Sequence, residues 1–283
     1  MSTVVEKMAA HFGREAALAD RVAEVLEKAG KHAGNTSVEE LAGLDQWHVM
    51  GLEPTRRLAE IAQIGADDLV LDAGCGMGGP ARLLAKTRGC FVHGIDMTEP
   101  YLEAADVMND VTQMADKVSL KKGDVTAIDF DDDTFDVVWT QHAAQSIPDK
   151  AKFFSEVARV LKPGGRFVVH DLYKGAGDPV HYPAFWGEDD SIGFLVSDDE
   201  MRRLLEQAGF EVVSWEDTTN AAHEANAAMD EDNARSELQA ATIDGLDIFL
   251  LFGDKTLVYA ENSVKDFEVG SIGIFEAVCK LPA

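Results

Sequence analysis

The sequence predicts an α/β fold: a doubly wound, mostly parallel sheet of seven strands, with helical segments capping it. Three observations carry that prediction. Short apolar runs alternate with stretches of helical spacing between residues 61 and 217, and one more run lies near the C-terminus. That rhythm builds parallel strands covered by helices on both faces. One run passes directly into a turn crowded with glycines, LDAGCGMGGPARLLAK (Leu71 to Lys86). A helical stretch also stops at Lys162-Pro163-Gly164-Gly165, a sequence that ends helices.

The elements follow in order. Val4, Met8, Phe12, Ala16, Val22, Val25 and Leu26 recur at helical spacing, so the chain is expected to open with helices. Residues 1–60 are read as an N-terminal helical cap. Leu58 to Ile64 continues as a helix, and Gly65-Ala66-Asp67-Asp68 breaks it before a first strand, Leu69–Leu71. Then come a helix over 81–87, a strand at Phe91–Ile95, a helix over 101–108 and strands at Val118–Leu120 and Phe135–Trp139. A helix over 150–161 precedes the fifth strand, Arg166–His170. Asp198 to Ala208 has an acidic first turn suited to a helix N-terminus, and strands at Phe210–Trp215 and Ile272–Cys279 complete the sheet. The core is therefore assigned to residues 61–172, 196–217 and 266–283. Residues 173–195 and 218–265, with their aromatics and acids, fall outside the rhythm and are expected to cap the strand ends on the substrate side.

Composition narrows the function classes. The chain has 283 residues and is 46% hydrophobic, enough for a large core. No apolar run has the length of a membrane helix, and the N-terminus lacks the basic start and apolar stretch of a signal peptide. Cys75, Cys90 and Cys279 lie too far apart for a zinc site or a disulfide framework. They are expected to be small apolar fillers in a protein of the reducing cytoplasm, and no metal is expected. The net charge of −26 repels phosphates, which argues against nucleic acid and anionic membranes as partners. The acidity has two readings: solubility, and adaptation to high salt.

Gly74, Gly76 and Gly79 satisfy G-x-G-x-x-G, a pattern that also fits dinucleotide-dependent dehydrogenases. Three acids sharpen it. Asp96 follows the second strand, where a carboxylate can accept both hydroxyl hydrogens of a ribose. Asp124 follows the third strand in Gly123-Asp124-Val125, placed to accept from an adenine amino group. Asp72 ends the first strand. A carboxylate beside the turn suits a ligand with an ammonium and a sulfonium, and it repels a pyrophosphate.

At this point the chain resembles a family. LDAGCGMGGPARLLAK, with GIDMT, GDV, DVVWTQHAAQSIPDK and EVARVLKPGGRFVVHDL, is similar over residues 45–215 to the class I S-adenosylmethionine-dependent methyltransferases, which have a Rossmann-like core. The resemblance implies S-adenosylmethionine as cofactor. It implies that Asp72, Gly74, Gly76 and Gly78 surround the methionine part. Asp96, with Met97 beside it, would hold the ribose, and Asp124 with Val125 would flank the adenine. Gln141 and His142 would lie beside the transferable methyl. WHVMGLEPTRRLAE, the GGPAR turn, GIDMTEPYLEAA, QHAAQSIPDK and PVHYPAFW further resemble the sarcosine and dimethylglycine methyltransferases, implying N-methylation towards glycine betaine. Relatives with the same core methylate isoprenoid rings, oxygen and other nitrogens, so C- or O-methylation of another small molecule is the alternative.

Methyl transfer from a sulfonium needs an aligned nucleophile, an excluded solvent and an unprotonated acceptor. His142 is the candidate base, because a neutral imidazole takes up a proton near neutrality; the plainer reading is a ring packed in the wall. Gln141 would hold the donor or orient the acceptor. Trp47 and His48 belong to the segment that covers the donor in the resembling group. Tyr173, His181 and Trp186, with Tyr182 and Phe185, offer ring faces to a methylated ammonium, or else form a small aromatic core. A substrate carboxylate would need a cation, and Arg56, Arg57, Arg82 and Lys174 are all available. The expected partner is a small-molecule methyl acceptor. A dehydrogenase, and a non-catalytic sensor that binds the donor, remain as rivals.

Overall fold

A computed structural model describes residues 3, 7, 11, 17–227, 246, 248–253 and 255–283. Its seven strands are β1 (Leu69–Ala73), β2 (Phe91–Asp96), β3 (Val118–Lys122), β4 (Phe135–Gln141), β5 (Leu161–Lys174), β6 (Glu211–Asp217) and β7 (Ile272–Lys280). They form one sheet in the order β3-β2-β1-β4-β5-β7-β6. Neighbours from β3 to β5 are parallel, and β7 runs antiparallel between β5 and β6. The chain leaves β1 towards β2 and β3, then returns to lay β4 on its other side. A crevice therefore opens beyond the carboxyl ends of β1 and β4, where open α/β sheets bind ligands.

Eight helices of two turns or more are described: α1 (Leu18–Lys28), α2 (Leu52–Ile61), α3 (Gly79–Arg88), α4 (Glu99–Val111), α5 (Lys150–Val160), α6 (Asp198–Gln207), α7 (Thr219–Ala227) and α8 (Lys255–Glu268). Strand alternation distributes them over the two faces. Leu71, Val138, Phe167 and Val169 meet Phe153, Phe154 and Val157 of α5 and Met201 and Leu205 of α6. Val70, Val92, Val137 and Val168 meet Leu58 and Ala59 of α2 and Ala81 and Leu84 of α3. The inner strands β1, β4, β5 and β7 thus bury both their faces along most of their length, whereas the edge strands β3 and β6 leave many positions open to solvent. Leu18, Val22 and Leu26 of α1 pack on Ala104, Ala105 and Met108 of α4.

Local signals set the helix ends. Asp149 caps α5 by accepting from Lys152 N, and Ser197 caps α6 by accepting from Glu200 N. α3 and α4 each begin about two residues earlier than their apolar spacing indicates, because Pro80 and Pro100 are tolerated in a first helical turn. The fifth strand differs from expectation. The helix does end before Lys162-Pro163-Gly164-Gly165, yet the strand already begins at Leu161, paired with Phe135, and its register shifts before Arg166 pairs with Val137. Gly164 N donates to Leu281 O and Leu281 N to Gly165 O, both at 2.9 Å, so this turn is carried inside the strand.

All three cysteines are free and buried. Among the described residues no helix is long and apolar enough to cross a membrane. None of the described His, Cys, Asp and Glu side chains group to hold a metal ion. The opening helix expected over residues 1–16 falls almost wholly outside the described residues.

Candidate active site

β1 and β2 end side by side, and the glycine turn is pinned across them. Gly74 N and Cys75 N both donate to Ile95 O, at 2.9 and 3.1 Å. Gly76 N donates to Asp96 Oδ2 at 2.9 Å, while Asp96 Oδ1 accepts from Thr98 N at 2.8 Å. One carboxylate therefore ties the turn after β1 to the start of α4. Gly74 has φ +83°, and a Cβ there would lie 2.6 Å from Ala143 Cβ, so the turn can pass the loop after β4 only as glycine.

Above this turn lies a cavity of about 1100 Å³. Asp72, Gly74, Gly76, Asp96, Met97, Gly123 and Val125 line it on the β1–β3 side. Trp47 walls it there, edge-on to Tyr101 at 5.3 Å and to Phe252 at 4.6 Å. Gln141, His142, Leu172 and Ile272 line it on the β4, β5 and β7 side, with His48, Phe185, Trp186 and Phe267.

Electrostatics mark the first side as short of positive charge. Asp72 is 1% exposed, and its Oδ2 has no hydrogen-bond partner among the described residues. Burial, with a further push from the nearby Asp96 charge, raises its carboxyl to about 7 against the pull of Arg82. Burial also raises the Asp96 carboxyl, although backbone N–H groups of Thr98, Gly76 and Met97 oppose it. Asp96 still keeps lone pairs free, since each oxygen of a carboxylate has two. A cationic nucleoside fits these features: an ammonium beside Asp72, ribose hydroxyls on Asp96 and bare main chain at the turn.

The second side carries three imidazoles that burial keeps uncharged. His48, His142 and His170 cluster with ring centroids 5.0 to 6.0 Å apart. Burial drives all three well below the ordinary imidazole range, His48 to about 3; His48 further disfavours protonation of His142, and both disfavour it at His170. His142 holds a left-handed backbone, φ +49°. The end of β5 props it up: His142 N donates to His170 O at 2.9 Å, while Ala143 N and Ala144 N donate to Asp171 Oδ2 at 3.1 and 2.7 Å.

Several expected site residues lie elsewhere. Asp124 is exposed and does not line the cavity; its Oδ1 accepts from Thr126 N and Oγ1 at 2.8 and 2.7 Å, so it closes its own turn. Gly78 is absent from the lining too, because it packs towards Leu120 and Arg82. Tyr173 falls on the opposite face of β5 from Leu172, and its hydroxyl donates to Asp217 at 2.8 Å. His181 is held against the buried Asp266 of α8, Nδ1 to Oδ1 2.6 Å. Among the cations proposed for a carboxylate, Arg56 lines the cavity. Arg57 is bound to Glu276, Lys174 is exposed outside the lining, and Arg82 is wholly buried.

Sequence reading also missed residues. Asp45 and Gln46 are buried and line the cavity, the buried Thr55 donates to Gln141 behind the wall, and Tyr259, Ser263 and Phe267 bring α8 to the lining. Thr55 is a small polar residue on an apolar helix face, a signal too weak to single out.

Residues 71–169 match the family model described as a methyltransferase domain. Sterol 24-C-methyltransferase ERG6 of Saccharomyces cerevisiae is 36% identical over 167 residues, 56% of this chain and 43% of that protein. The chain thus spans less than half the length of that curated relative. Geranyl diphosphate C-methyltransferase from Streptomyces coelicolor A3(2) superposes with a TM-score of 0.66 at 20% identity, over 99% of this chain and 98% of that one. A protein from Galdieria sulphuraria described as a sarcosine dimethylglycine methyltransferase gives 0.62 at 21% identity, over 93% and 98%. At such identities the structural likeness speaks for the fold.

Proposed function

We propose that this protein transfers the methyl group of S-adenosylmethionine to a carbon or oxygen of a largely apolar small molecule. Bound between Asp72, Asp96 and the glycine turn, that donor supplies an electrophilic methyl on a sulfonium. The chain supplies the rest. Asp72 and Asp96 receive its positive charge and its ribose, Trp47 and Met97 shield it from water, and the end of β4 bounds the space beyond. Transfer to an O–H or an alkene carbon releases one proton. His142 stands at the cavity wall to relay it; burial keeps the ring neutral at rest, so it passes the proton on and does not retain it.

The observation that carries the choice of acceptor is the second side of the cavity. Leu172, Trp186, Phe267 and Ile272 line it beside uncharged imidazoles, and the whole cavity exceeds the volume of a single ordinary ligand site, about 300–1,000 Å³. There is room for a donor and a sizeable apolar acceptor together. The sequence relatives point the same way, since the yeast protein is named for C-methylation of a sterol.

N-methylation of sarcosine or dimethylglycine, which the family resemblance implies, is the second reading. Arg56 at the cavity favours it as a carboxylate partner, as does the fold shared with the Galdieria protein. Against it, Arg56 lies 3.8 Å from Glu39 and its side chain is 47% exposed, so it belongs to the rim. Incubation with labelled donor and parallel panels of isoprenoids, phenols, sarcosine and dimethylglycine separates the two. Label in the apolar panel supports the first reading; label confined to the amino acids replaces it with the second.

A further inference from the structure

Gln141 ends β4 with both halves of its amide engaged. Trp139 Nε1 donates to Oε1 at 2.9 Å and Thr55 Oγ1 donates to it at 3.0 Å. Its Nε2 lies 3.2 Å from His170 Nδ1. An indole N–H offers no lone pair, so the amide atom facing it is the oxygen. The NH₂ half therefore faces His170, and an NH₂ only donates. His170 Nδ1 is then an acceptor, and the neutral ring carries its hydrogen on Nε2. That Nε2 is buried without a partner among the described residues.

We propose that Gln141 is a positioning residue that locks His170 as a neutral, Nε2-protonated imidazole, so that this ring takes no part in relaying the acceptor's proton and His142 is the ring of the cluster that meets it at the cavity wall. A second proton on His170 has to go to Nδ1. That lone pair is covered by an N–H which cannot turn away without orphaning the buried donors of Trp139 and Thr55. The charged and titratable neighbours act in the same sense. His142 and His48 lie 5.0 and 5.7 Å away, and the Arg57 charge on α2 also disfavours a cation at His170. Glu276, paired with His170 across β5 and β7, is bound by Arg57. Asp171, the next residue, spends Oδ2 on the Ala143 and Ala144 amides and Oδ1 on Leu172 N. Gln141 thus lines the cavity while its amide serves the protein interior, and the acceptor's proton is kept from passing inward to His170.

The test is ¹⁵N-histidine NMR of the full chain, with His170 assigned from a His170→Gln variant. Between about pH 5.5 and 8, His170 should show the Nε2-protonated pattern and no titration. In Gln141→Glu the carboxylate only accepts, so the pattern should move to a hydrogen on Nδ1. kcat should fall at least about tenfold, with donor affinity within about twofold of the parent. A parent His170 protonated on Nδ1, or titrating in that window, overturns the lock even if the variant does not fold. So does a Gln141→Glu protein with an unchanged His170 pattern and full kcat. The effect on kcat rests on the methyltransferase reading, whereas the tautomer does not. The expected parent spectrum with no turnover on any acceptor would sink that reading alone.

Discussion

Arg82 Nη2 donates to Asp45 Oδ2 at 2.8 Å, with both side chains wholly shielded from solvent. The same guanidinium donates to Met77 O in the glycine turn and, at 2.9 Å, to Asn109 Oδ1 of α4. Asp45 itself lines the cavity. One buried cation thus ties the turn, α4 and the segment before α2 into the donor side of the site.

Removing that cation strands a buried carboxylate. Arg82→Ala should cost about 3–5 kcal/mol of stability, read from urea unfolding midpoints. The double variant Arg82→Met, Asp45→Leu should recover most of the loss, because an apolar pair leaves no charge unpaired. A cost below about 1 kcal/mol for Arg82→Ala would show the pair to be dispensable.

Asp72 should make donor binding depend on pH. Its carboxyl is raised from an ordinary 3.8 to about 7, so the folded chain binds more protons than the unfolded chain between those values. Stability from this group is therefore present at the acid end and lost as pH rises through that window. A bound cation favours the ionised form, so donor affinity should rise as pH climbs towards 7 and level off above it. The limiting change is about tenfold per pH unit. Calorimetric titration with S-adenosylmethionine across that range should reveal the slope, and Asp72→Asn should abolish it. A flat parent profile would remove Asp72 from donor binding.

Two glycines of the turn should fail differently. A Cβ on Gly79 would meet Asp45 O at 2.4 Å and Gln46 Nε2 at 2.8 Å, so Gly79→Ala should cost about 1–3 kcal/mol of stability through overpacking. A Cβ on Gly76 meets nothing within 4 Å and projects where the turn borders the cavity. Gly76→Ala should fold, paying about 1–2 kcal/mol for its left-handed backbone, yet lose donor affinity. Melting curves and binding isotherms of the pair check this. Equal affinity in Gly76→Ala and parent would mean that no ligand approaches the turn.

The sheet was legible in the sequence because a strand buried on both faces writes itself as a short run of mostly apolar residues, as Leu69–Leu71 and Phe167–Val169 do. The glycine turn and Asp96 were legible because they sit at fixed offsets from strand ends. Asp124 lies two residues beyond the end of β3, whereas Asp96 ends β2 itself, and its carboxylate turns back to Thr126 outside the cavity lining. Tyr173 and His181 misled because composition marks a segment as aromatic without telling which face each ring takes. Arg82 reads as a surface charge until its partners Asp45 and Asn109, far away in sequence, come together around it. Such pairings are made by tertiary packing, and local pattern carries no trace of them.

The excess of acids should tell in the response to salt. With a net charge of −26, self-repulsion opposes the folded state. Raising ionic strength from about 0.01 M to 1 M shortens the screening length from about 30 Å to 3 Å. The melting temperature should climb steadily over that range in calorimetric scans with potassium chloride. A melting temperature that is flat or falls with salt would leave solubility as the sole reading of the acidity.

A donor cradled where β1 and β2 end is tested most directly by titration of S-adenosylhomocysteine into the parent, Asp96→Ala and Asp124→Ala proteins. Asp96→Ala should bind at least about tenfold more weakly, because a carboxylate that anchors both turn and ribose is gone. Asp124→Ala should stay within about twofold of the parent. Undiminished affinity in Asp96→Ala, or no binding by the parent, would contradict the account.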